Sequence, residues 1–357
     1  MSDMPQELKS LRAEINAHME AYLAALPNTL EITLSSDGEL ALELLQEFAL
    51  RPGKRIRGAL AMVAYKMFGG TKHQVALDVA LAVELAQDYL LIIDDVMDRS
   101  ERRRGGATVH EEYRHILGRY TSEEFVHIAD MLSVNVGLIA QHFSSMVLSE
   151  LDDNPARIVR AQRLFQSNLA VTGFGQLDDL MGQAGKALKA ADTRRMYIFK
   201  SSYYTFVNPL QLGAALAGAD KMQLEAIRGF GEYAGLAFQM QDDLLGMFGD
   251  GEVTGKSSLD DLREGKMTLL MQHAFEHANS EQLTVLRAAH GNRSVTEQQH
   301  TQVCEILTTI GSHSHISQEA RNAAQAASAA LVAQETWPTE GKTLLLALVE
   351  YTVNRGR

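Results

Sequence analysis

Two short acidic runs carry the clearest chemical signal in this chain. In Ile92-Ile93-Asp94-Asp95-Val96-Met97-Asp98, Asp94 and Asp98 are four residues apart, so a helix places them on one face with Asp95 beside them. A second pair, Asp242-Asp243, follows Phe238-Gln239-Met240-Gln241, and Gly246 stands where a third carboxylate would fall one turn later. Asp250 can assist from the loop beyond. Clustered carboxylates repel each other, and near a helix C-terminus the macrodipole disfavours anions further. Something positive must offset them. A solvated acidic turn is the plain alternative, but the stretch before the first run, Tyr89-Leu90-Leu91-Ile92-Ile93, is continuously apolar. Oxygen ligands without nearby His or Cys favour Mg²⁺ over Zn²⁺. Magnesium held by few carboxylates usually shares its shell with substrate phosphates, so the acidic runs imply a phosphorylated substrate.

Such a substrate also needs cations from the protein. Three basic clusters supply them: Gly53-Lys54-Arg55-Ile56-Arg57, Arg102-Arg103-Arg104-Gly105-Gly106, and the pairs Gly255-Lys256 and Gly265-Lys266. Arginine meets phosphate bidentately and lysine acts as a mobile point charge. Each cluster alone reads as a solvated loop; their placement beside the acidic runs favours anion binding. A nucleotide-binding loop at 249–257 fails, because the position six before Lys256 is Asp250 rather than glycine. Two Glu-x-x-His pairs, Glu112/His115 and Glu124/His127, would suit a di-iron bundle, but they lie only twelve residues apart.

The elements that position these groups read as helices. The 357 residues are 46% hydrophobic with only 6 prolines, and alternating strand patterns are weak throughout. The expectation is an all-α, single-domain helical bundle over 1–357, with central helices inside an outer helical ring and 1–30 as an N-terminal helical segment. Capping boxes are expected at Ser36-Asp37-Gly38-Glu39 and Thr121-Ser122-Glu123-Glu124. Phe125, Ile128, Leu132, Val136, Ile139 and Phe143 form one apolar stripe of the helix after the second box. Val79–Ile93 is apolar nearly all round and must be buried. A formal net charge of −12 argues against binding nucleic acid or an anionic membrane surface. The lone Cys304 cannot form an internal disulfide, which fits a reducing, cytoplasmic setting. No apolar run reaches the roughly 20 residues of a membrane span, and no leader peptide is evident.

At these residues the sequence resembles the trans-isoprenyl diphosphate synthases, the polyprenyl synthetase family. The resemblance runs from about Leu45 onward. It rests on Gly53–Arg57; Glu84-Leu85-Ala86-Gln87 before the first aspartates; Arg103-Arg104-Gly105; Lys200-Ser201; Phe238-Gln239; Gly255-Lys256; and Asp260-Asp261-Leu262-Arg263-Glu264-Gly265-Lys266, in that order. It implies an isoprenoid-synthase fold and a Mg²⁺-dependent prenyltransferase, with three ions per site. Asp94, Asp98 and Asp242 would be the metal ligands, supported by Asp95 and Asp243. Arg103, Lys200, Gln239, Lys256 and Lys266 would hold an allylic diphosphate, with Ser201 supplying the hydroxyl of a Lys-Thr pair. Lys54, Arg57, Gln87 and Arg104 would hold isopentenyl diphosphate. A homodimer without stable membrane insertion is also implied. Departures from the family pattern are Ile93 for a common His, Arg99 for a common acidic residue, and Gly246.

Tyr89, five residues before Asp94, lies roughly 7–8 Å down the helix. In the family an aromatic there limits elongation, which points to a twenty-carbon geranylgeranyl product, with the fifteen-carbon farnesyl product as the alternative. A class I terpene cyclase would not need Lys54 and Arg57 for a second diphosphate. A non-catalytic all-α subunit would be expected to lose its aspartates, and here they are intact.

Overall fold

The computed structural model describes residues 6–30, 32–118, 123–185, 189–249 and 259–354. The chain divides into two compact units. The first comprises Gln6–Gln162 and Leu212–Gly218; the second comprises Arg163–Gln211 and the described part of Ala219–Arg357. The all-α expectation holds, and the strands among the described residues form a single two-residue hairpin, Arg102–Arg103 (β1) with Gly106–Ala107 (β2).

The first unit is built on α1 (Gln6–Thr29), α2 (Ser36–Leu50), α3 (Ile56–Met67), α4 (His73–Asp98), α5 (Val109–Ile116) and α6 (Glu123–Ser149). The cap of α2 is Ser35 rather than Ser36: its hydroxyl accepts from Gly38 N at 3.2 Å. The box expected at 121–124 lies partly outside the described residues. Along α4, Val79 to Ala86 are all buried, whereas Tyr89, Leu90, Leu91 and Ile93 are half-buried near the acidic end.

Helix α6 bears out the apolar-stripe expectation at Val136 and Phe143 and corrects it at Ile128 and Ile139. Its buried face is Ala129, Ser133, Val136, Gly137, Ala140, Phe143 and Ser144, while Ile128 and Ile139 point to solvent. The reason is close packing on α4. Ser144 Oγ donates to Ala82 O at 2.8 Å, and a Cβ on Gly137 would lie 2.9 Å from Ile93 Cγ1. Close approach at Gly137 and Ser144 leaves Ile128 and Ile139 outside, while Val136 and Phe143 of the expected stripe are buried as expected. By length and composition alone α6 is also apolar enough to cross a membrane, contrary to the expectation that no segment would be. A helix buried along one side in a core passes the same test, and Asp130 lies within it.

In the second unit, α7 (Pro155–Gln183) enters from Arg163 onward. It is followed by α8 (Ala190–Tyr197), a π-helical segment Ile198–Val207, and α9 (Asn208–Ala217), whose first residues belong here. Then come α10 (Lys221–Phe248), α11 (Asp260–Glu264), α12 (Leu269–His277), α13 (Ser280–Ala289), α14 (Glu297–Thr309), α15 (Ser312–Val332) and α16 (Thr339–Asn354). Helix α10 is the hub, packed against α15 and the π-helical segment. Gly235 permits that approach, since a Cβ there would overlap the backbone of Ser202.

Candidate active site

The sequence-expected residues fall into two sets, one in each unit.

In the first unit, the acidic run occupies the last turn and a half of α4, as its spacing implied. Asp95 and Asp98 are buried and Asp94 is half-buried. Arg99 closes the helix in the left-handed region at φ 57°, with its own N–H and that of Ser100 returning to the last carbonyls. The charge repulsion among the aspartates is offset locally. Arg103 Nε donates to Asp95 Oδ1 at 2.8 Å, Nη2 bonds the same oxygen, and Nη2 lies 3.6 Å from Asp94 Oδ2.

The hairpin that delivers Arg103 turns on Arg104 and Gly105, both at positive φ (51° and 82°). This is the pattern of a tight primed turn, where glycine, asparagine or aspartate is normally preferred. The arginine side chain is held from several sides. Nη1 donates to Asp88 Oδ1 at 3.1 Å, and the guanidinium lies 5.8 Å from the Phe48 ring centroid. With its amide oriented to satisfy both donors, Gln87 accepts from Arg104 Nη2 at 3.2 Å and from Arg57 Nη1 at 2.9 Å. Arg57 and Gln87 are half-buried and Lys54 is exposed just before α3. Thus the structure joins Arg57, Gln87 and Arg104 in one network.

Arg55, in the same basic cluster, belongs to the scaffold. It is buried at φ 50°, with Nε on Asn16, Nη1 3.3 Å from Glu84 Oε2, and Nη2 on the Ala49 and Arg51 carbonyls. Glu84 also accepts from Gly58 N at 2.9 Å.

In the second unit, Asp242 is exposed near the end of α10 while Asp243 is buried. The two neighbours are therefore not equivalent. Asp243 Oδ1 accepts from Gln239 Nε2 at 2.8 Å, and Oδ2 accepts from the hydroxyl of Tyr197. Tyr197 in turn accepts the N–H of Leu269, the first residue of α12, at 3.0 Å. Ser201 Oγ donates to Gln239 Oε1 at 2.6 Å. Burial holds both the Asp243 carboxyl and the Tyr197 phenol well above their usual ranges. Lys200 lies on the π-helical segment, and such wide turns concentrate at functional sites. Its ammonium donates to Asp179 Oδ2 at 2.6 Å, and Lys266 lies 2.5 Å from Glu264 Oε2. A side chain at 246 would run into the Asp261 carboxylate, so that oxygen already occupies the space over Gly246. Lys256 and Asp250 lie outside the described residues.

Asp261 and Glu264 stand in the 260–266 motif without an assigned role, and sequence reasoning missed Asp88, Tyr197 and Asp179 altogether. Asp88 left a usable trace, a lone carboxylate inside an apolar helix, which must find a partner if buried. The others left none, since each depends on which helices meet.

A model described as "Polyprenyl synthetase" matches residues 39–307. The chain is 28% identical over 303 residues to a geranylgeranyl diphosphate synthase of Methanosarcina mazei, covering 85% of this chain and 86% of that protein. It is 30% identical over 310 residues to a geranylfarnesyl diphosphate synthase of Aeropyrum pernix, covering 85% and 90%. Among solved structures, a geranylgeranyl pyrophosphate synthase of Corynebacterium glutamicum, complexed with isoprenyl diphosphate and magnesium, superposes with a TM-score of 0.89 at 26% identity, covering 99% of each chain. Sequence motifs, fold and relatives agree that this chain is a prenyltransferase and belongs to the polyprenyl synthetase family.

Proposed function

We propose that the protein condenses isopentenyl diphosphate with allylic diphosphates, head to tail and in trans, and releases a short-chain prenyl diphosphate, geranylgeranyl diphosphate. The farnesyl product is the alternative. The observation that carries this reading is that both units hold cations fixed on protein acceptors: Arg103 on Asp95 at the acidic end of α4, with Arg104 and Arg57 on Gln87, in the first unit; Lys200 on Asp179 and Lys266 on Glu264 in the second.

The donors suit magnesium. Asp94, Asp98 and Asp242 offer carboxylate oxygens only, the donor type that magnesium prefers. These three would hold the ions, three per site in this reading. Bound there, magnesium offsets the charge of the departing diphosphate. The chain's own residues do the rest. Arg103, Lys200, Gln239, Lys256 and Lys266 grip the allylic diphosphate, with Ser201 orienting Gln239. Lys54, Arg57, Gln87 and Arg104 grip isopentenyl diphosphate at the start of α3. The allylic C–O bond breaks, the isopentenyl double bond attacks the carbocation, and the released diphosphate takes the proton. The half-buried apolar surface of Tyr89, Leu90 and Leu91 excludes water that would quench the cation.

We assign the whole of 1–357 to one catalytic domain working in the cytoplasm as a homodimer, without stable membrane insertion or nucleic-acid binding. Supporting association, Ile128, Met131, Leu138 and Ile139 leave one side of α6 apolar and exposed, as Phe174, Leu177 and Met181 do on α7. Incubation with isopentenyl diphosphate, each allylic starter and Mg²⁺, with products sized by chromatography, tests the function. Elongation to twenty carbons is expected; no elongation with any starter would overturn it.

A further inference from the structure

Asp88 is a buried carboxylate that the chemistry above does not use. It is fully enclosed, on the face of α4 that carries Gln87. Its Oδ1 accepts from Arg104 Nη1 at 3.1 Å, and its Oδ2 has no hydrogen-bond partner. An enclosed carboxylate is costly, so its retention here calls for a local reason.

The reason lies in the arginines. Arg57 and Arg104 both donate to the single amide oxygen of Gln87, which draws two positive charges together. Arg104 is also mounted on a tight turn in a left-handed conformation that costs roughly 1–2 kcal/mol for a non-glycine residue. Neither arrangement is self-supporting. The other enclosed carboxylate of α4, Glu84, is committed to Arg55 and Gly58 N. Asp88 is then the anion left to hold Arg104. Burial is the largest influence on its carboxyl and Arg104, then Arg55, oppose it, leaving it raised to about 6. The same device recurs around the site, where Arg103 leans on Asp95, Lys200 on Asp179 and Lys266 on Glu264.

We propose that Asp88 is a positioning residue: from beneath the arginine pair it sets Arg104, and through Gln87 Arg57, in the orientation that receives the diphosphate of the homoallylic substrate, isopentenyl diphosphate. This rests on the function proposed above. Asp88 touches no substrate. It pre-assembles the cationic cradle before the ligand arrives, which lowers the ordering that binding must otherwise supply.

The test compares the wild type with Asp88→Ala and Asp88→Asn. Alanine removes the acceptor for Arg104; asparagine keeps an oxygen acceptor but no charge, and retains the shape if alanine fails to fold. KM for isopentenyl diphosphate should rise roughly 10–100-fold in Asp88→Ala and about threefold in Asp88→Asn, while kcat and KM for the allylic substrate stay within about twofold. Calorimetric titration of isopentenyl diphosphate into Mg²⁺-free protein should show the same ranking. A KM and affinity for isopentenyl diphosphate unchanged in both variants would overturn the positioning role. So would equal losses for both substrates, which mark a general structural role. Failure of the wild type to elongate any starter would instead sink the function, and the calorimetric ranking would still judge Asp88.

Discussion

Tyr197→Phe isolates the hydrogen-bond chain behind the second acidic pair. One hydroxyl serves two buried groups, donating to Asp243 Oδ2 and accepting from Leu269 N at 3.0 Å. All three residues are buried, so water does not readily replace the lost oxygen. Leaving the Leu269 N–H without its acceptor costs about 1–3 kcal/mol, and losing a donor to a carboxyl costs about 1.5–3 kcal/mol. Part of this is offset because phenylalanine has no hydroxyl to desolvate. A net destabilisation of about 3 kcal/mol is expected. In a unit of this size that lowers the unfolding midpoint by about 6–12 °C. Circular dichroism at 222 nm during heating reads it directly. Because Asp243 Oδ1 also anchors Gln239, which orients Ser201, kcat/KM for the allylic substrate should fall roughly tenfold at a temperature where the variant is folded. A midpoint within about 2 °C of the wild type, with unchanged kinetics, would show that the chain from Leu269 to Ser201 does not support the site.

Three further outcomes are expected. Gly235→Ala should lower stability by about 1–3 kcal/mol and reduce turnover, because its Cβ overlaps the Ser202 backbone beside Lys200 and Ser201; thermal melts and kcat check it. Tyr89→Ala should lengthen the products seen by chromatography, and an unchanged profile would remove Tyr89 as the limit. The acid stability profile should reveal two opposed groups. Burial depresses the His110 imidazole to about 4, so its contribution is present above its ordinary value of 6.5 and is lost as pH falls towards 4. Burial raises the Asp88 carboxyl to about 6, so its contribution is present below the ordinary 3.8 and is lost as pH rises through 6. Each is worth about 3 kcal/mol at most. Relative to the wild type, His110→Phe should gain stability on acidification from pH 6 to 4 and Asp88→Asn should lose it, as urea midpoints at each pH would show.

Much of the architecture was legible because the relevant forces are local. Helix period, scarce proline and paired aspartates at the ends of apolar runs are read along the chain, and α4 and α10 end as those signals required. The failures came where two helices meet. Half-right was the stripe of bulky residues on α6: Val136 and Phe143 do face the core, but Ile128 and Ile139 lie outward, and small residues such as Ser133, Gly137 and Ala140 complete the buried face. Likewise Arg55 stood in the basic cluster without an assigned role, and only packing against Asn16 and Glu84 commits it to the scaffold. Asp242 and Asp243 are adjacent in sequence and opposite in burial, a distinction set by Tyr197 on another helix.

The described non-glycine residues at positive φ are all arginines: Arg55, Arg99 and Arg104. For the evolution and engineering of the chain, these positions are not alike. Backbone comfort would favour glycine at each. At Arg104 glycine would relax the turn and simultaneously empty the contact to Asp88, so stability and function are selected against each other within one codon, whereas at Arg55 it would empty the buried scaffold contact to Glu84. At Arg99 the side chain is exposed at the end of α4, and no contact of that kind opposes the change. A search for a hardier variant should therefore begin at Arg99 and leave the other two untouched.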